Sequence, residues 1–230
     1  LNPRLFARVK AVWEKRASLG LTPVQGRLLE ETYKSFVRGG ANLDAAQQER
    51  FRAINRELSS LGIKFGDNLL HDTNSYRLVI ESAADLAGLP PAVVAGAADA
   101  AKAAGRPGTW IFTLQAPSIW PFLQYADNRE LRRQLLEAYT TRCDHNDQWD
   151  NKKTLARIAA LRAERASLLG YKSHADFVLE ENMAKTPAGV YGLLNQLWKP
   201  AREKALGEAA DLQAAIDREG GAFKLEAGDW

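Results

Sequence analysis

The sequence is poor in the residues from which self-contained active sites are usually built. Its 230 residues include one cysteine, one methionine and three histidines. The single cysteine, Cys143, excludes an internal disulfide and suits a reducing compartment, so a cytoplasmic location is expected. His71, His145 and His174 are far apart and no H-E-x-x-H occurs, so this chain is expected to bind no metal and no cofactor of its own. Glycine-rich phosphate loops are also missing, because Gly39-Gly40 and Gly220-Gly221 read as helix stops. No apolar run approaches the roughly 20 residues that span a bilayer, and no signal-peptide pattern opens the chain, so no membrane partner is expected. One-signed charge is lacking too. With 31 basic residues interleaved among 28 acidic ones and a net charge of +3, no nucleic-acid surface is expected.

What is present is mostly helical and organised around residues 108–142. Trp110, Phe112 and Leu114 alternate with Thr109, Ile111 and Thr113, the period-2 pattern of a strand over 109–114. Pro117 and Pro121 then end any ladder, which predicts a turn or short helix over 116–125 held down by Ile119, Trp120, Phe122 and Leu123. A charged helix follows, capped by Asp127 or Asn128, with Leu131, Leu135, Leu136 and Tyr139 as its buried stripe. A second strand over 76–80 is expected to pair antiparallel with 109–114, the two being joined through an alanine-rich helix after Pro90-Pro91.

The remaining segments carry helix signals. Pro3 opens a helix reaching about residue 19, and Thr22-Pro23-Val24-Gln25 is a capping box for a helix that stops at Gly39-Gly40. Asp44 with Gln47 caps a third helix bearing Phe51, Ile54, Leu58, Leu61 and Phe65, in which Gly62 and Gly66 suggest a bend or a close helix contact. Residues 142–151 read as a polar loop. Beyond it come a helix ending at Gly170, a short helix capped by Ser173 and Asp176, and a long one from Thr186-Pro187 to Gly220-Gly221. That last helix has a stripe of Val190, Leu193, Leu194, Leu197, Ala201, Ala205, Ala209, Leu212 and Ile216, with Pro200 expected to kink it. The fold class is therefore mostly α, a multi-helix lobe with a small two-stranded antiparallel element at about 76–80 and 109–114. An N-terminal helical region over 1–107 and a second region over 108–230 are expected, or one continuous lobe.

Each candidate for chemistry has a bland rival. Cys143 and His145, two apart in the polar loop, could be a thiol and its base, but a solvated loop with a passenger cysteine is favoured. Glu180-Glu181 could be an acid/base pair only if both aimed into one cleft. Adjacent helical residues diverge, so a solvated face is favoured. Helix capping accounts for Asp127-Asn128-Arg129. Trp110, Phe112, Trp120, Phe122 and Tyr125 could form a ligand wall, and core packing is favoured. No catalytic, cofactor-binding or metal-binding residue is assigned on these grounds.

An ordered set of segments nevertheless resembles one family. WIFTL-x-x-P at 110–117, YADNRELR at 125–132, Asp150-Asn151, LRAERASLLGY at 161–171, the run over 176–187 ending N-M-A-K-T-P, and DLQAAIDREGGAFKLEAGDW at 211–230 are similar to the thimet oligopeptidase family of zinc metallopeptidases. The last segment leans toward the peptidyl-dipeptidases of that family. The resemblance implies a helical body with a deep channel for short peptides. It also implies a zinc ion, held by an H-E-x-x-H helix and a downstream glutamate, that assists release of C-terminal dipeptides. Those motifs would lie beyond Trp230. The first residue is Leu1 rather than methionine, so a fragment is expected: part of the channel wall, inactive alone, whose partners are short peptides and the remainder of the catalytic domain. Where the family shows W-D-W, this chain has Gly228-Asp229-Trp230, so a large packing residue is missing there. The rival reading is a non-catalytic helical module that binds a protein or peptide.

Overall fold

The computed structural model describes residues 2–230. Nine α-helices and one two-stranded sheet occur among the described residues, so the mostly α class is borne out. They fall into two units. The first runs through Gly62 and resumes over Ala156–Tyr191, and the second comprises Ile63–Leu155 and Gly192–Trp230.

In the first unit, α1 (Pro3–Glu14) starts where Asn2 accepts hydrogen bonds from the Arg4 and Leu5 amides. It is shorter than expected, giving way to a 3-10 turn over Arg16–Ser18 before Gly20 takes a φ of 56°. The box ahead of α2 (Pro23–Arg38) forms as read: the Gln25 amide donates to Thr22 Oγ1 at 3.4 Å and the Thr22 amide to Gln25 Oε1 at 3.0 Å. The two helices share an aromatic seam. Phe6 is buried against Tyr33 and Phe36, and Trp13 stacks on Tyr33 at 4.7 Å. An equivalent reciprocal cap, Asp44 with Gln47 at 2.8 and 3.1 Å, precedes α3 (Ala45–Ser75), which enters the second unit after Gly62. A Cβ built on Gly62 or Gly66 meets nothing within 4 Å, so of the bend and the close helix contact offered for these glycines the contact is absent at both. Also contributing are α7 (Lys152–Leu168), with buried Ile158 and Leu161, and α8 (His174–Leu179), capped by Ser173.

The second unit is built on the ribbon. Strands β1 (Leu78–Ile80) and β2 (Trp110–Phe112) pair antiparallel with Leu78 opposite Phe112 and Ile80 opposite Trp110. Pairing is as expected, but each strand is only three residues long because Thr113 turns away, its amide taken by the Ser118 hydroxyl at 2.9 Å. Leu78, Ile80 and Phe112 enter a core with Leu86, Leu114, Ile119, Phe122, Ala126 and Leu135. The joining helix α4 (Pro91–Ala103) adds Ala97 to it. Residues 116–125 form α5 (Ala116–Tyr125), and Asn128 caps α6 (Arg129–Thr140) by accepting from the Leu131 amide at 3.2 Å.

One glycine is required by its surroundings. Gly88 has a φ of 83°, and a Cβ there would lie 2.1 Å from the Tyr125 carbonyl oxygen. That closeness lets the Asp127 amide donate to Ala87 O at 2.9 Å, tying the start of α6 to the turn before α4. The last long helix, α9 (Pro187–Arg218), continues through Pro200 as one helix. Its stripe is half-buried at Leu212 and Ile216 and exposed throughout 191–208.

Candidate functional site

The loop over 142–151 brings one candidate pair close to a carboxylate. Cys143 is buried with a φ of 58°, and its amide donates to Asp72 Oδ2 at 2.5 Å. His145 Nε2 lies 3.3 Å from the same oxygen. The histidine is thus partnered by Asp72, and burial, followed by the Asp72 charge, pushes the thiol up from its ordinary value. A nucleophile would need the opposite shift. The loop is not simply solvated, either. Asn151, itself buried, accepts from Asn68 Nδ2 at 3.0 Å and donates to Phe65 O at 3.1 Å. Arg142 donates to Thr73 Oγ1 at 2.9 Å, and Trp149 stacks on His71 at 3.8 Å. The cysteine is one of the fixed points of a loop pinned to the C-terminal half of α3.

Glu180 and Glu181 are partly solvated, with side chains 40% and 48% exposed, and both are also ion-paired. Glu180 is the C-cap of α8, and Glu181 lies beyond the helix, so the divergence of consecutive helical side chains does not apply to them. Both reach Arg38 of α2, whose side chain is only 12% exposed: Nη1 pairs with Glu180 and Nε with Glu181 at 3.3 Å. Tyr171 donates its hydroxyl to Glu180 at 2.6 Å, and the Arg38 guanidinium lies 4.1 Å from the Phe177 ring centre. Burial pushes the Glu180 carboxyl up, but the hydrogen bonds from Tyr171 and Arg38 outweigh it and hold the group below its ordinary value. A carboxylate held ionised by its ion pair is a poor general acid. This cluster ties α8 to α2.

Capping does not exhaust Asp127-Asn128-Arg129. Besides capping α6, Asn128 donates Nδ2 to Asp85 at 2.9 Å. Arg129 makes a bidentate contact with Asp229, at 2.9 Å to Oδ1 and 3.0 Å to Oδ2, and packs over Phe223 at 4.2 Å. Arg132 adds a bond to Asp229 at 3.2 Å and others to the carbonyls of Gly228 and Ala126 at 3.0 and 2.6 Å. Asp229 has a side chain 6% exposed, and the Arg129 hydrogen bonds hold its carboxyl below the usual carboxylate range. The segment after α9 is therefore clasped to α6 through Asp229. A Cβ at Gly228 would meet Leu136 at 3.7 Å, an ordinary contact, so docking does not depend on a large side chain at 228.

The aromatic series divides. Phe112 and Phe122 meet edge to face at 4.5 Å in the core. Trp110 is half-buried, whereas Trp120 and Tyr125 are 48% and 46% exposed, contrary to the core reading. Helix α5 turns Ile119 and Phe122 inward, and at about 100° per residue Trp120 and Tyr125 fall off that inward face on either side. A cavity of about 370 Å³ lies between α4, β2 and the start of α5, lined by Val93, Gly96, Ala97, Ile111, Phe112 and Pro117 among others. Its polar lining is Thr113, Gln115 and Ser118, with no titratable group to run acid–base chemistry.

Among the described residues no group of three or more His, Cys, Asp and Glu side chains could hold a metal ion. His71 and His145 belong to the second unit and His174 to the first. The buried His174 Nδ1 has no hydrogen-bond partner, and burial followed by the charges of Arg162 and Arg165 pushes the ring down from its ordinary pKa. No helix is long and apolar enough to cross a membrane among the described residues. The donor set among the described residues does not fit a zinc ion.

Comparison with known proteins gives a more definite answer. Residues 122–230 match the model of Peptidase family M3. Dipeptidyl carboxypeptidase of Escherichia coli is 36% identical over 230 residues, which is 100% of this chain and 34% of that protein. Oligopeptidase A of the same organism is 33% identical over 213 residues, 91% of this chain and 31% of the relative. The probable cytosolic oligopeptidase A of Arabidopsis thaliana is 32% identical over 224 residues, covering 95% and 32%. The chain spans about a third of the length of these curated relatives.

Proposed function

Because this chain is related along its whole length to the peptidases of family M3, in the thimet oligopeptidase group, we propose that it is a stretch of a zinc-dependent peptidyl-dipeptidase. The observation that carries this is the 36% identity to a dipeptidyl carboxypeptidase without loss of coverage across all 230 residues. In this reading the helices supply part of the wall of a channel for short peptides, and the product is a C-terminal dipeptide. In this reading zinc and the residues that act with it lie in a part of the protein outside this chain. No residue here is given a catalytic role. The buried Cys143 thiol and the ionised, arginine-paired Glu180 and Asp229 are structural, as the directions of their shifts support.

The passage into the peptidase body falls near residue 108. The start of the family match at residue 122, just past the ribbon, supports that placement. A cytoplasmic location agrees with the single buried cysteine and with the relative named as cytosolic. The exposed stripe of α9 also favours a second reading, a non-catalytic helical module that docks on another protein.

The experiment is to incubate the pure 230-residue chain, and the product of its complete reading frame, with a short reporter peptide, with zinc and with a chelator. Dipeptide release that is zinc-dependent is expected from the complete product alone. Chelator-sensitive cleavage by the 230-residue chain would refute its assignment as an inactive piece. A complete product without peptidase activity would favour the docking module.

A further inference from the structure

The longest run of exposed residues in the second unit is on α9. Every residue over 192–208 is exposed, including Leu193, Leu194, Leu197, Leu206 and Trp198, the last at 68%. The chemistry around this helix is not uniform. At 3.6 residues per turn, Leu194, Leu197, Trp198, Ala201 and Ala205 fall on one face, and Gln196, Lys199 and Glu203 fall on the other. One side is written for water and the other for a neighbour, yet among the described residues nothing in the unit covers the second. Further along, the same stripe continues through Leu212 and Ile216, which are half-buried. There the segment after the helix folds back, with Gln213 donating to Phe223 O at 3.1 Å and accepting from the Leu225 amide at 2.8 Å. A single apolar stripe is thus covered at one end by the chain itself and bare at the other.

We infer that the bare face of α9, around Leu194, Leu197, Trp198, Ala201 and Ala205, is a docking surface for the part of an M3-length protein that lies outside this chain. The inference rests on the functional reading above. The relatives assign the occupant by length: a protein matched over 34% of its own sequence has about two-thirds of its residues elsewhere. Isolated helical segments with a bare leucine face are marginal in water, because most helix stability comes from packing such a face. Contiguous exposed apolar surface of this kind marks an interaction site. Trp198, a large aromatic flanked by leucines, is the kind of residue that anchors such an interface.

The test is thiol labelling of Leu197→Cys on the apolar face and Glu203→Cys on the polar face. Each is made both in the 230-residue chain and in the product of the complete reading frame. The native Cys143 is buried and gives the same background in all four proteins. In the 230-residue chain the two sites are expected to label at similar rates. In the complete product Leu197→Cys is expected to slow at least a hundredfold, with Glu203→Cys keeping its rate. Equal rates at the two sites in the complete product would overturn the inference. So would protection of Leu197→Cys in the 230-residue chain that grows with concentration, because the occupant would then be a second copy. A reading frame no longer than this chain would remove the occupant and overturn it as well. Peptidase activity is measured separately on the complete product. If activity is absent and Leu197→Cys is protected, the peptidase assignment fails and the docking surface stands.

Discussion

Replacing Asp229 with asparagine should loosen the segment after α9 without disturbing the core. In the wild-type chain the Asp229 carboxylate receives two bonds from Arg129 and one from Arg132. Hydrogen bonds to charged groups contribute about 1.5–3 kcal/mol each when well buried. That range has to be discounted here. Arg129 is about a third exposed and keeps Glu226 at 3.2 Å, so water and a second carboxylate replace much of what it loses. Arg132 is better covered and keeps two backbone carbonyls. A net loss of about 2 kcal/mol is expected, equivalent to roughly thirtyfold in a local opening equilibrium. The reporter is the Leu225 amide, whose acceptor on Gln213 is untouched by the substitution. Its hydrogen-exchange protection should fall by that factor in Asp229→Asn. The effect should also depend on pH. Asp229 has a folded pKa below its unfolded value of about 3.9, so its contribution is complete above the unfolded value and is lost as pH falls through the folded one. The difference between wild type and variant should therefore be constant from about pH 6 to about pH 8, begin to shrink near about pH 4, and vanish only once the pH is below the folded pKa of Asp229. A change of less than about threefold at neutral pH, or one that persists unchanged in acid, would show that Asp229 does not clasp this segment.

Two further outcomes follow from the packing. Gly88→Ala should destabilise the second unit by more than about 2 kcal/mol in urea unfolding, because its Cβ would overlap the Tyr125 carbonyl at a positive φ, while Gly62→Ala should be neutral or stabilising by up to about 1 kcal/mol. Equal effects at the two glycines would refute the contrast. Cys143 should resist thiol reagents in the native chain at neutral pH and react at a normal rate in denaturant, as its burial and raised pKa require, and rapid native labelling would contradict both.

The features legible in the sequence were those written over a few residues. Thr22 with Gln25 and Asp44 with Gln47 close their boxes across three residues, and each formed as read. The ribbon was legible because Leu78 and Ile80 alternate with Val79, although its length was overestimated where Ser118 captures the Thr113 amide. The likeness to one peptidase family was legible from an ordered set of segments. What escaped were partnerships across long separations. Arg38 meets Glu180 from 142 residues away, and Arg129 meets Asp229 from 100. No local pattern marks either pair, and a surface charge looks the same in sequence whether water or an arginine will neutralise it. The burial of Cys143 was hidden for a similar reason, since the polar residues around it suggested a free loop when they were pinning it to α3.

The ribbon divides its own neighbourhood into places that tolerate an inserted residue and places that do not. Ile80 and Trp110 are joined by a long connection, and lengthening a loop costs only logarithmically, about 0.6 kcal/mol even on doubling. The exposed turn at Gly105 and Gly108, both at positive φ, could take an extra residue at a cost of tenths of a kcal/mol. One residue added inside β1 would instead move Leu78 or Ile80 out of the core and turn Val79 inward, because side chains alternate with a period of two. Change can accumulate in the connection, whereas the three paired residues of each strand are held to their count.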